Sequence, residues 1–142
     1  MGKGATFEQS FLKLIFNATG IGTIADNAAS SPITNIYVSL HTADPTASGT
    51  TSTNEATYTG YARVAVARTT AGWTVTSNSV SPAATISFPA CTGGTNTITN
   101  FAVGNQATGA GEIFYTGTVT PNISVASGVT PQLTTASTIT ES

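Results

Sequence analysis

Charge is what this chain has least of. Only 7% of its 142 residues are Asp, Glu, Lys or Arg, against about a quarter in an ordinary soluble domain. Four Lys and Arg residues and a formal net charge of -2 cannot build the basic footprint that nucleic-acid binding needs. Cys91 is the single cysteine, which excludes an internal disulfide and predicts a small buried apolar residue. Long apolar runs are missing too: no stretch approaches the roughly 18 consecutive apolar residues of a transmembrane helix, so no membrane role is expected. The low charge does not mean disorder, because 39% of the residues are hydrophobic and net repulsion is small.

Threonine takes the place of charge, at about one residue in five, with serine, alanine and glycine beside it. Threonine is β-branched and suits a pleated strand, and its hydroxyl keeps an outer face wet without a charge. Composition therefore predicts an all-β protein with a polar, nearly neutral surface that offers little repulsion to close packing beside other copies. The length predicts one domain over residues 1–142. Its N-terminus, Met1-Gly2-Lys3-Gly4-Ala5, leads into an amphipathic stretch rather than an apolar signal core, which predicts a chain made and kept in the cytoplasm.

One helix is predicted, over residues 6–17. Thr6 and Gln9 read as a capping box, and Phe7, Phe11, Leu14 and Ile15 recur at helical spacing, widened by Leu12 and Phe16. So apolar a helix is expected to bury most of its circumference, against its own sheets or a neighbouring subunit. From 33 to 41 the pattern alternates, with Ile36, Val38 and Leu40 on one face and Tyr37, Ser39 and His41 on the other. Asp44-Pro45 marks a turn, and a Ser/Thr/Gly-rich tract follows, so that residues 44–58 form a long loop, either functional or mobile. Further strands are expected over 61–69, 73–75, 84–88, 97–103 and 112–119, with weaker alternation through 123–125 and 132–139. Short strands with frequent turn signals predict an antiparallel β-sandwich or jelly-roll-like barrel over 33–140, behind a short N-terminal α-helix.

A search for chemistry finds no constellation. His41 is the only histidine, and Asp44 lies across the Asp-Pro turn from it; a strand-face histidine satisfied by a backbone group or water is the simpler expectation. One histidine, one cysteine and the scattered carboxylates Glu8, Asp26, Asp44, Glu55, Glu112 and Glu141 show no metal-ligand spacing. Neither a nucleophile elbow nor a phosphate-cradling loop is present. No catalytic, cofactor-binding or metal-binding residue is assigned, and the chain is expected not to be an enzyme. Tyr58, Tyr61 and Trp73 flank the long loop and would serve a carbohydrate platform if exposed, although aromatic residues more often fill a core.

The order of segments carries more than any one of them. The helix Phe7–Phe16 is followed by Leu40-His41-Thr42-Ala43-Asp44-Pro45, then Gly60-Tyr61-Ala62-Arg63, then Ile86-Ser87-Phe88-Pro89, and later Gly111-Glu112-Ile113-Phe114-Tyr115-Thr116-Gly117. This ordered set resembles a family of small tailed-phage virion proteins, over about residues 6 to 133. Members are labelled tail fibre proteins or look like capsid cement proteins. The resemblance implies a structural virion protein without catalytic residues. The first expectation is capsid decoration, in which a dimer or trimer bridges copies of the major capsid protein on the capsid surface. The alternative is a tail fibre or receptor-binding component. For decoration, Phe7, Phe11 and Tyr58 are the expected anchors, with Arg63 or Arg68 supplying charge-assisted bonds.

Overall fold

A computed structural model of the chain describes residues 5–21 and 32–142. Among these residues one helix, α1 (Ala5–Asn17), precedes nine strands: β1 (Asn35–His41), β2 (Val64–Ala67), β3 (Trp73–Thr76), β4 (Ser79–Pro82), β5 (Ile86–Ser87), β6 (Asn96–Gly104), β7 (Ile113–Val125), β8 (Gln132–Leu133) and β9 (Ile139–Thr140). Pairing is antiparallel throughout and makes three sheets, ordered β2-β1-β6-β7, β3-β4-β9 and β5-β8. The sheets lie in a sandwich-like arrangement and do not close on themselves, so the barrel form of the expectation does not hold. Among the described residues each sheet ends in two edge strands.

The alternation in β1 works as expected on its inner face, where Ile36, Val38 and Leu40 are buried. They join Ile98, Phe101 and Val103 of β6 and Val125 of β7 in a core that also takes Trp73, Val80, Phe88, Leu133 and Ile139 from the smaller sheets and their connections. Each such side chain contributes roughly 1.5–3 kcal/mol relative to exposure. Ser39 and His41 point the other way yet are fully buried as well, because β1 and β6 are the central strands and loops cover their outer face.

The helix starts at Ala5, one residue ahead of the expected cap, so Thr6 lies inside the first turn and not before it. Only Leu12 and Phe16 are buried, packed where α1 lies against β3 and β4. Phe16 meets Trp73 edge-on at 4.8 Å between ring centroids. Apart from Leu12 and Phe16, every residue from Glu8 to Asn17 is half-buried, and only Ala5, Thr6 and Phe7 at the start of the helix are exposed. It ends at Ala18 in the left-handed region (φ 52°) with the Thr19 amide bonded to the Lys13 carbonyl at 3.1 Å, which satisfies one carbonyl orphaned at the helix end.

The second expected strand shortens to β2, and the Ser81-Pro82 turn signal falls inside β4, which the alternation did not reveal. β7 runs past its expected end at 119 to Val125. It does so by an irregularity: the register shifts between Ile98 and Asn100 of β6, and Pro121 sits in the interruption, where no ladder hydrogen bond is asked of it. The polar C-terminal stretch is integrated into the fold, since β9 pairs with β4 and Ile139 belongs to the core.

Candidate contact surface

Residues 44–58 are held at many points, and the reason lies in their two ends. Beyond β1 the chain folds back on itself, with Thr42 N bonded to Asn54 O and Ala56 N to Leu40 O, each at 2.8 Å. Ends this close make a compact loop that packs on its own side chains. Asp44 Oδ1 accepts from Thr46 N at 2.9 Å and shapes the entry turn. Inside, Thr51 is 1% exposed. Its amide donates to Gly111 O at 3.0 Å, its hydroxyl donates to Gly109 O at 3.1 Å, and the same oxygen accepts from Gly111 N at 2.8 Å. Its methyl presses on Gly104, where a Cβ would stand 2.6 Å from Thr51 Cγ2. One threonine thereby ties the loop to the β6–β7 turn.

Arg63 closes the assembly. Its Nε and Nη2 grip Glu55 Oε1 and Oε2 at 2.7 and 2.8 Å, the two-pronged geometry that matches guanidinium to carboxylate. Nη1 donates to Gln106 O at 3.0 Å and Nη2 to Gly109 O at 2.7 Å. Tyr61 OH donates to Glu55 Oε1 at 2.9 Å and accepts from Leu40 N at 3.1 Å. The Arg63 side chain is 3% exposed, and its bonds to Glu55 raise its pKa. Burial first, then the Glu55 charge and hydrogen bond, push the Tyr61 phenol well above its usual range. The result is a rigid end of the sandwich on which Ala47, Ser48, Ser52, Asn54, Ala107 and Thr108 face solvent without charge. A small pocket of about 240 Å³ opens there, floored by Glu55, Tyr61 and Arg63.

Under the loop, Ser39 Oγ and His41 Nε2 are 2.8 Å apart, and His41 Nδ1 is 2.8 Å from Thr53 O. A carbonyl can only accept, so Nδ1 carries the proton and Nε2 accepts from Ser39. Burial holds the His41 pKa below its usual value. The pair has the reach of a nucleophile and base, but both residues are fully buried and the imidazole is oriented by a backbone carbonyl. It acts as a fastening for the loop, in line with the simpler expectation for His41. No group of three potential metal ligands forms among the described residues.

The residues expected to make contacts divide into two sets. Phe7 is 40% exposed and stacks on half-buried Phe11 at 6.3 Å between centroids, leaving an apolar patch on the N-terminal half of α1. Tyr58 is 3% exposed, with its hydroxyl donating to Pro89 O at 2.9 Å. Arg63 serves the loop, and Arg68 donates from Nε to Ile15 O at 2.6 Å and from Nη2 to Leu14 O. Arg68 thus satisfies last-turn carbonyls of a helix that has no basic residue of its own there. Trp73 is 2% exposed and Tyr61 half-buried, so Tyr58, Tyr61 and Trp73 do not form an exposed carbohydrate platform. Sequence reasoning missed Thr51 and Glu55, for which no local pattern gives a signal.

A groove of about 760 Å³ runs between β7 and the C-terminal segment, lined by Thr118, Thr120, Asn122, Ser124, Gln132 and Leu133 among others. None of the residues lining it is charged.

The family whose sequence model is described as Podophage GP4 fiber I protein gp80 matches residues 16–140. That span runs from the last turn of α1 to β9 and includes every strand, the clasped loop and the groove. None of the curated proteins compared with the chain matches it.

Proposed function

The chain belongs to the Podophage GP4 fiber I protein gp80 family, and on that premise we propose that it is a structural subunit of the phage fibre apparatus, carried on the tail. Its coarse role, a structural protein of a phage virion, comes with the family. The observation that carries the finer reading is the extent of the match, residues 16–140, which takes in the whole sandwich. The family description favours the fibre over the capsid decoration first expected. In this reading the stacked Phe7–Phe11 patch is the anchor toward a neighbouring virion protein. Tyr58, Arg63 and Arg68 act within the subunit: Arg63 holds the clasped end, Tyr58 bonds Pro89 and Arg68 fastens the end of α1. Loops held on a rigid scaffold are where recognition surfaces are built, and this end offers uncharged Ala, Ser, Asn and Thr side chains beside the exposed carboxylates Asp44 and Glu112.

Quantitative mass spectrometry of purified particles, with gold-labelled antibody against this chain, tests the assignment. A few copies per particle and label on the tail are expected. Hundreds of copies in a simple ratio to the major capsid protein, with label over the head, would overturn the fibre reading and restore decoration.

A further inference from the structure

The clasped end and the groove beside β7 use their uncharged polar side chains differently. At the clasped end Thr50, Thr51, Thr53 and Asn54 spend theirs on holding the chain. Along the groove, the exposed side chains of Thr118, Thr120, Asn122, Ser124 and Thr138 make no hydrogen bond among the described residues. Gln132 gives its amide N–H to Ser87 Oγ at 3.0 Å, which leaves its carbonyl oxygen free to accept. Beneath them Phe101, Val119 and Leu133 supply an apolar floor. One wall is built by a departure from regular strand. Between the pairs Ile98–Ile123 and Asn100–Thr118, β7 has residues 119–122 where β6 has only Thr99. Such a bulge gives up ladder hydrogen bonds and re-aims side chains, and Thr120 and Asn122 lie on it. The opposite wall is fixed at both ends, because Leu133 pairs with Ile86 and Ile139 with Val80. Its turn is held by Ser137 N on Thr134 O at 3.0 Å and Ala136 N on Thr134 Oγ1 at 3.2 Å. Both walls are therefore in place before any ligand arrives.

We propose that this groove binds an uncharged oligosaccharide. Its volume, about 760 Å³, falls in the range of sites that take small molecules. A sugar ring carries hydroxyls around its rim and C–H groups on its faces, which hydroxyl and amide side chains over an apolar floor can match. No charged residue occurs from Ile113 to Thr140. An acidic sugar or a phosphate would therefore lose hydration there with no opposite charge in return. A peptide strand would draw its affinity from main-chain hydrogen bonds along a sheet edge. Here the ladder is broken and Pro121 has no N–H, so side chains and not backbone make the contacts. The site belongs to the chain itself and stands whether the chain is carried on the tail or on the head.

The test is a titration of the full, isotopically labelled chain followed by its amide NMR shifts. The probes are neutral oligomers of glucose, galactose, mannose, rhamnose and N-acetylglucosamine. Oligogalacturonate serves as the acidic counterpart and a neutral Ser/Thr-rich peptide as the polypeptide one. Saturable shifts confined to residues 117–124 and 132–138 are expected with at least one neutral oligomer, at a dissociation constant below about 1 mM. T120A/N122A should raise that constant at least about tenfold. These side chains hold nothing else in the chain, so its spectrum outside the groove should match the natural one. T108A, at the clasped end, should leave binding unchanged. Absence of saturable binding by every neutral oligomer overturns the proposal. So does tighter binding of the oligogalacturonate or the peptide in the groove, or an affinity that T120A/N122A leaves intact.

Discussion

Replacing Arg63 by alanine should be among the most damaging changes away from the apolar core. The side chain makes five hydrogen bonds, two of them to Glu55 and the others to Ser52 Oγ and the carbonyls of Gln106 and Gly109. Removing one member of a buried ion pair costs about 3–5 kcal/mol, because the other charge is left unmatched. Glu55 is 17% exposed and keeps the Tyr61 hydroxyl, and the two carbonyls lie where water can reach them. These facts place R63A at the lower end, about 3 kcal/mol. R63K keeps the charge but loses the fork, and should cost about 1–2 kcal/mol. Urea denaturation followed by the fluorescence of Trp73, the single tryptophan, reads the effect. At an m-value of about 2 kcal/mol/M the midpoint of R63A should fall by about 1.5 M. Hydrogen exchange should speed up together in residues 42–56 and 105–111, since both are held by the same guanidinium. A midpoint change under about 0.3 M, as expected of a solvent-screened surface pair, would refute the reasoning.

Gly117→Ala should cost about 1–3 kcal/mol by overpacking, because the new Cβ would stand 2.5 Å from Phe101 Cε1; thermal unfolding checks this, and G117A with F101L should recover part of the loss. Acid should loosen the molecule through His41, whose folded pKa lies below its unfolded value near 6.5 because of burial. Between those two values the unfolded chain binds more protons, so this contribution is complete above about pH 6.5 and is lost as pH falls toward the folded pKa. Melting temperatures measured from pH 8 to about pH 5 should therefore fall more steeply for the natural chain than for H41Q, and parallel curves would contradict the assignment.

The parts of the fold legible beforehand share one physical property: they are set by residues a few positions apart. Ile36, Val38 and Leu40 alternate because a strand turns its side chains over at every residue, and the helix stripe of Leu12 and Phe16 follows from its own period. The missed strand β4 shows the limit. Its Ser79-Val80-Ser81-Pro82 offers one apolar residue, and it is a strand because β3 and β9 flank it. The loop over 44–58 looked structureless because its order comes from Gly109, Gly111 and Arg63. Tyr58 and Arg68 read equally well as surface contacts until their distant partners Pro89 and Leu14 were in place.

The sequence by itself determined that this protein is built of antiparallel β-structure behind one short helix, with a neutral, threonine-rich exterior. Composition and side-chain period are local and survive without knowledge of contacts. Only the tertiary structure decided the sheet order, the clasp of Arg63 on Glu55 and the groove beside β7. Each depends on segments far apart in the chain: Arg63 reaches a carbonyl 43 residues away and Arg68 one 54 residues away. Which distant groups meet is settled by the burial of the whole core and by the need of each buried polar group for a partner. No short window of sequence contains that information.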